Sequence, residues 1–342
     1  MLQAGDEIVK YLILGSLGAG HFGQVYHVLD RALDVQKAIK VLNVDKPEEY
    51  LEKLEEAQIL HKCKHKHIVC VNEANVFPVQ GVPKVIIDME YIPNGSLERR
   101  IGTSFLSVID SMKITCGVLY GLGHAHSQDV LHRDIKPANV LLDDVYPKLS
   151  DFGLATELGQ HVYASGQGYV THLAPEVFKT HKTTVWSDIY AVGMTFFRIV
   201  NNIREWKALI PDDTTRRDKL LSQGKVISSL GYQEYVPPPI RRIINKTCHK
   251  DPSHRYQNTI EMCQAIEQLK PRINWIKTSP QQWQGGCCVS GDTYGLSIHS
   301  ARINKVEVRR NSRIIGQDSV TLSNASECQR YANGYVAMTT LQ

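Results

Sequence analysis

His132–Arg133–Asp134–Ile135–Lys136–Pro137–Ala138–Asn139 runs on into Val140–Leu141–Leu142 and is followed by Asp151–Phe152–Gly153. It holds the densest polar chemistry in the chain. Short β-prone pieces at Val140–Leu142 and Pro147–Leu149 frame it. Taken singly, each group has a structural reading: Asp134 as a loop cap, Asn139 as a turn residue, Asp151 as a turn acid. Their meaning comes from what lies on either side.

Upstream, Gly18-x-Gly20-x-x-Gly23 separates two β-prone runs, Val9–Leu17 and Val25–Leu29. In a dinucleotide-binding unit the third glycine opens a helix; here it opens a strand. Such a turn either serves positive φ alone or forms a flap whose bare amides lie over a triphosphate. Ala38–Ile39–Lys40 follows in the next strand, Val35–Leu42, where period two puts Ala38 and Lys40 on one face. A small Ala leaves room for a flat ring, and Lys40 offers a cation to phosphate oxygens. A partly buried strand lysine needs a counter-charge. Glu56, in the helix expected over Pro47–Lys62, is the candidate; Glu55 points about 100° away.

Downstream comes Ala174–Pro175–Glu176. The ordered set (glycine loop, Ala-Ile-Lys, helix Glu, His-Arg-Asp, Asp-Phe-Gly, Ala-Pro-Glu) resembles the eukaryotic-type serine/threonine protein kinase family over about residues 8–270. The resemblance implies an α+β, two-lobed fold, with a small β-rich N-lobe at 1–91 and a larger, mainly α C-lobe at 92–270. It implies ATP and Mg²⁺ as cofactors, and transfer of the γ-phosphoryl to Ser/Thr hydroxyls of protein substrates. In that scheme Asp134 accepts or orients the hydroxyl proton and Lys136 neutralises the transferring phosphoryl. Asn139 and Asp151 are hard oxygen ligands suited to Mg²⁺. Lys40 grips the nucleotide phosphates and pairs with Glu56, while Gly18, Gly20 and Gly23 cover the phosphates. Val25, Ala38 and Leu141 sandwich adenine. Met89 is the gatekeeper ahead of the hinge residues Glu90 to Ile92, whose backbone bonds the base. Leu60, His132 and Phe152 stack as a spine, Asp188 holds the His-Arg-Asp backbone, and Arg255 pairs with Glu176.

Lys136 with Pro137 resembles the serine/threonine class rather than the tyrosine class. One position departs from the family: Tyr169 stands where a Thr hydroxyl bridges the catalytic Asp and Lys, and Thr171 offers a replacement. The competing reading is a nucleotide-binding pseudokinase acting as a scaffold. Pseudokinases lose the lysine, the base or the metal Asp, and none is missing here. The segment Leu154–Leu173 carries Tyr163, Ser165, Tyr169 and Thr171. Ser165, nine residues before Ala174, matches the family's activating phosphosite, with Arg133 as the guanidinium for its phosphate; it is the candidate for autophosphorylation ahead of Thr171, the other reading being a plain loop serine.

The 342 residues are 42% hydrophobic and 22% charged, with 24 Gly and 14 Pro, which excludes a disordered, collagenous or coiled-coil chain. No apolar run reaches a membrane span of about 20 residues. The acids Asp6 and Glu7 argue against a secretory leader. Eight cysteines show neither a metal-type CxxC pair nor a disulfide framework, which points to reduced thiols and a cytoplasmic location. Residues 271–282 read as a linker. Residues 283–342 read as a small module of two or three strands and a helix, a surface for a partner, with Trp283, Tyr294, Tyr331 and Tyr335 in its core. The net charge of +4 is too mild for nucleic acid, and Arg309, Arg310 and Arg313 read as a solvated turn.

Overall fold

The alternation over Val25–Leu29 resolves as a half-buried strand in which Tyr26, Val28 and Asp30 turn inward. A computed structural model describes the chain except residues 1, 21–22, 44–48, 80, 153–155, 158–169 and 301–302. It describes backbone alone at residues 19, 20, 43, 49–53, 55, 56, 156, 157 and 170. The described residues divide into two compact units, one of 1–97 with 120–162 and one of 98–119 with 163–342.

In the first unit, β1 (Glu7–Ile8), β2 (Tyr11–Gly20), β3 (Gly23–Asp30), β4 (Val35–Asn43), β5 (Val71–Val79) and β6 (Val82–Glu90) form an antiparallel sheet. Its order is β1-β2-β3-β4-β6-β5. Helix α1 (Glu49–Lys62) joins β4 to β5 in sequence. One face carries an apolar cluster of Tyr11, Ile13, Tyr26, Val28, Ile39, Val41 and Ile86. Alternation therefore leaves Val25, Ala38 and Lys40 to the opposite face. Register sets Val25 opposite both Gly18 and Lys40, and Ala38 opposite Met89. Gly23 is required here: a Cβ would stand 2.4 Å from the Val41 carbonyl oxygen.

Strand β5 was not legible in the sequence. It is the sheet's edge, polar residues interrupt its apolar pattern, and Pro78 lies within it, which an edge strand tolerates. The unit also holds β7 (Val130–Leu131), β8 (Val140–Leu142), β9 (Pro147–Leu149) and β10 (Thr156–Glu157), paired as β8 with β9 and β7 with β10.

The second unit takes in most of α2 (Leu97–Thr103) and the first part of α3 (Val108–Ser127). It continues with α4 (Val177–Thr180), α5 (Val185–Val200), α6 (Thr214–Ser222), α7 (Val226–Leu230), α8 (Pro238–Thr247) and α9 (Thr259–Glu267). Helix α5 is buried continuously from Ser187 to Val200, its polar Asp188, Thr195 and Arg198 included. A capping box starts it: the Ser187 amide donates to Thr184 Oγ1 and the Thr184 amide donates to Ser187 Oγ at 2.8 Å. Arg198, deep in α5, holds both carboxylate oxygens of Glu98.

Residues 271–282 are not a linker. They form β11 (Ile273–Ser279) and the start of β12 (Gln282–Cys287), the first strands of a C-terminal sheet with β13 (Thr293–His299), β14 (Lys305–Arg310), β15 (Arg313–Ile314) and β16 (Val320–Thr321). Helix α10 (Ala325–Thr340), capped by Asn324, packs on that sheet. The short, mixed pattern of Ile273–Ser279 hid a strand whose apolar side is Ile273 and Trp275. At Gly285 a Cβ would stand 2.6 Å from Ile273 and 2.9 Å from Trp275, so the strands close up only around glycine. Trp283 is buried between Phe105 and Tyr235, ring centroids 5.4 and 5.3 Å away. The C-terminal sheet thus shares a core with the helices of this unit. Tyr335 is buried with Trp283, while Tyr294 and Tyr331 are half-buried. Arg309 and Arg310 are paired with Glu307 and Asp292.

Candidate active site

The loop after β7 is shaped by a strained backbone. Arg133 (φ 70°) and, after β9, Asp151 (φ 60°) adopt the left-handed region that non-glycine residues avoid. Strain of this kind persists where surrounding bonds over-determine it. His132 supplies two of them. Its Nδ1 accepts from the Asp134 amide at 3.3 Å, and its Nε2 donates to the Ser150 carbonyl at 3.1 Å. Its ring packs 4.5 Å from that of Phe152, two-thirds of the expected spine; the third member, Leu60, is buried.

Asp134, Lys136 and Asn139 converge on one another. Lys136 Nζ lies 2.5 Å from Asp134 Oδ2. Asn139 Nδ2 donates to the Asp134 carbonyl at 2.8 Å and to its Oδ2 at 2.9 Å. The Ser150 amide, one residue before Asp151, donates to the Asn139 carbonyl at 2.9 Å. That bond sets Asp151 beside the loop. Asn139 spends its amide nitrogen on Asp134, so its Oδ1 is the atom suited to a cation.

Lys40 reaches the same place from β4, donating to Asp151 Oδ1 at 2.8 Å. Burial by itself would raise the Asp151 carboxyl; the Lys40 ammonium overrides it and holds the group below its ordinary value. The side chain of Glu56, the partner expected for Lys40, lies outside the described residues, as does Gly153. Asp151 and Asn139 together present hard oxygens, a donor set that fits Mg²⁺ and not a thiophilic metal.

Of the residues expected around the base, Ala38 and Ile92 are buried, and Val25 and Leu141 are half-buried. Leu141 bridges to Ser96, just past the hinge. Glu90 contributes more than the backbone expected of it. Its side chain accepts from Lys148 and from the Cys70 amide at 2.7 Å, while its own amide donates to the Cys70 carbonyl at 3.0 Å.

A family model for the protein kinase domain matches residues 11–268 of the chain. The chain belongs to the protein kinase family. The kinase is 30% identical over 264 residues to the serine/threonine-protein kinase PrkC of Bacillus subtilis, which covers 74% of this chain and 39% of PrkC. It is 36% identical over 205 residues to the serine/threonine-protein kinase PknK of Mycobacterium tuberculosis, covering 58% of this chain and 18% of PknK. It is 30% identical over 269 residues to the L-type lectin-domain containing receptor kinase VII.1 of Arabidopsis thaliana, covering 70% and 38% of the two chains. This kinase therefore spans about two fifths of the length of PrkC, and less of PknK.

Two features of the kinase site escaped the sequence reading. His27 stacks on Tyr91 of the hinge, centroids 3.9 Å apart. The signal was present, since period two from Val25 puts His27 on its face. Gly121 in α3 permits contact with the loop before β5: a Cβ there would stand 2.5 Å from the His67 carbonyl oxygen. In the second unit, Arg255 grips Glu176 with two bonds of 2.8 and 2.6 Å, the pair expected from sequence. Asp188 is buried in the first turn of α5. The Thr171 hydroxyl accepts from the Trp206 indole at 2.8 Å. Tyr169 and Ser165 lie outside the described residues.

Proposed function

We propose that this kinase transfers the γ-phosphoryl of ATP to Ser or Thr hydroxyls of protein substrates. The observation that carries the reading is the convergence of Asp134, Lys136 and Asn139 on one loop with the Lys40–Asp151 pair beside it. The Asp134 carboxylate takes the proton of the attacking hydroxyl as its oxygen bonds to the γ-phosphorus. The bond from that phosphorus to the β,γ-bridging oxygen breaks, and ADP leaves with the electron pair. Lys136, against Asp134, lowers the charge between the carboxylate and the phosphoryl oxygens. Lys40 exchanges part of its contact with Asp151 for nucleotide phosphate. Asp151 and Asn139 Oδ1 would hold Mg²⁺, which would supply neutralisation of the phosphate charge. Val25, Ala38, Leu141 and Met89 bound the base, with the backbone of Glu90 and Ile92 at its edge and Gly18, Gly20 and Gly23 over the phosphates.

The Ser/Thr class rests on Lys136 and on relatives such as PrkC, whose names state that class. Location in the cytoplasm is part of the reading, supported by eight free thiols. With Gln282 at its border, the module of residues 283–342 offers protein partners a polar sheet face on which Gln282, Ser297 and Glu307 stand in register. Incubation with ATP, Mg²⁺ and a degenerate peptide library, read by mass spectrometry, tests the activity. Phosphoserine and phosphothreonine that disappear with Asp134→Asn support it. Phosphotyrosine as the only product overturns the residue class, and ATP binding with no transfer to any peptide overturns the enzyme.

A further inference from the structure

The chain's cysteines carry no metal-binding spacing, yet the fold brings two of them together with a carboxylate. Cys116 of α3 and Cys263 of α9 are both buried. Their Sγ atoms and a carboxylate oxygen of Glu267 all lie within 4.8 Å of one another. Glu267 is one helical turn beyond Cys263, so α9 presents a thiol and a carboxylate on one face while α3 supplies the second thiol. Glu267 is exposed, which gives the cluster a polar mouth open to solvent. All three residues lie in the second unit, apart from the residues assigned to phosphoryl transfer.

We propose that Cys116, Cys263 and Glu267 form a binding site for a single Zn²⁺-class cation, with water as the fourth ligand. Zn–S bonds of about 2.3 Å and Zn–O bonds of about 2.1 Å at tetrahedral angles separate the ligand atoms by about 3.5–3.8 Å. In the structure the three ligand atoms all lie within 4.8 Å of one another. On binding, each thiol releases its proton to solvent, two Zn–S bonds and one Zn–O bond form, and nothing is oxidised or reduced. Two thiolates and a carboxylate leave the occupied site with one net negative charge, placed at its exposed edge. A disulfide is the weaker reading of the same pair. It needs a thiolate open to an oxidant, and both cysteines are buried. A cation brings its own driving force for deprotonation. The bound ion would tie α3 to α9 and so act on stability rather than on chemistry.

The test uses the full chain, reduced, with Cys287→Ser and Cys288→Ser to remove the neighbouring pair of more exposed thiols. Titration with Co²⁺ alone should give a sulfur-to-metal charge-transfer band that Zn²⁺ abolishes by displacement. Glu267→Gln, an exposed change that leaves the core intact, should weaken Co²⁺ binding at least about tenfold. In the same protein Zn²⁺ should protect Cys116 and Cys263, located by peptide mass, from alkylation. Absence of the band overturns the proposal. So does a band unchanged in affinity by Glu267→Gln, alkylation of both cysteines indifferent to Zn²⁺, or recovery of the two as a disulfide.

Discussion

Lys40 and Asp151, 111 residues apart in the chain, form an ion pair of 2.8 Å that joins the middle of β4 to the residue pair following β9. Both charges belong to the same proposed reaction, one for the nucleotide phosphates and one for the cation. Lys40→Met and Asp151→Asn should each lower phosphoryl transfer by at least about 10²-fold while the chain stays folded. Steady-state kinetics, with circular dichroism as the check on folding, decides this. Full activity in both variants would remove the site from this part of the sheet.

Asp134→Asn keeps the shape of the side chain and its bond from Asn139 but removes the base. The expected loss is about 10²–10⁴ in kcat with ATP affinity nearly unchanged. Single-turnover kinetics beside nucleotide titration separates the two. A rise in the Kd for ATP that accounts for the whole defect would assign Asp134 to binding instead.

Acid should loosen the first unit through its polar network. Glu73 is held below its ordinary 4.5 by hydrogen bonds from Lys10 and Tyr11. Burial would raise Asp30, but Lys37 overrides it and holds the group below its ordinary 3.8. Depressed carboxyls contribute stability that is complete above their unfolded values and is lost as pH falls through the folded ones. Stability should therefore be level above about pH 5 and fall below 4.5 and then 3.8. Urea unfolding across that range in wild type and Lys37→Met measures it; an equally steep fall in both would exclude the Lys37 contribution.

Trp283 ties the C-terminal sheet to Phe105 and Tyr235. Trp283→Ala should cost about 3–5 kcal/mol, the usual range for emptying a buried aromatic site. Removal of residues 271–342 should expose those rings and lower solubility. Thermal denaturation of the point variant and light scattering of the truncation report the two effects. A truncation as stable and monodisperse as the full chain would mean that the sheet is an independent appendage.

The chemistry was readable because its parts are close in sequence. Asp134, Lys136 and Asn139 sit on one short loop, so residue type and spacing already placed them within reach of one another. Period two likewise set Ala38 and Lys40 on one face before any coordinates. Strands β5 and β11 were missed for a shared reason. Neither has a continuous apolar side of its own. In α9, Ile260 is exposed, while Met262, Cys263 and Ile266 are buried. Periodicity alone fixes a stripe only to within about one residue in angle.

What the sequence by itself determined, then, was the order of the motifs, the kinase family and the identity of the catalytic loop, since these depend on local spacing. Only the tertiary structure decided that Lys40 meets Asp151, that Trp283 lies between Phe105 and Tyr235, and that Cys116 stands beside Cys263. Each of these contacts joins segments far apart in the chain. No local propensity encodes such a meeting; it follows from the way buried apolar faces pack the elements against one another.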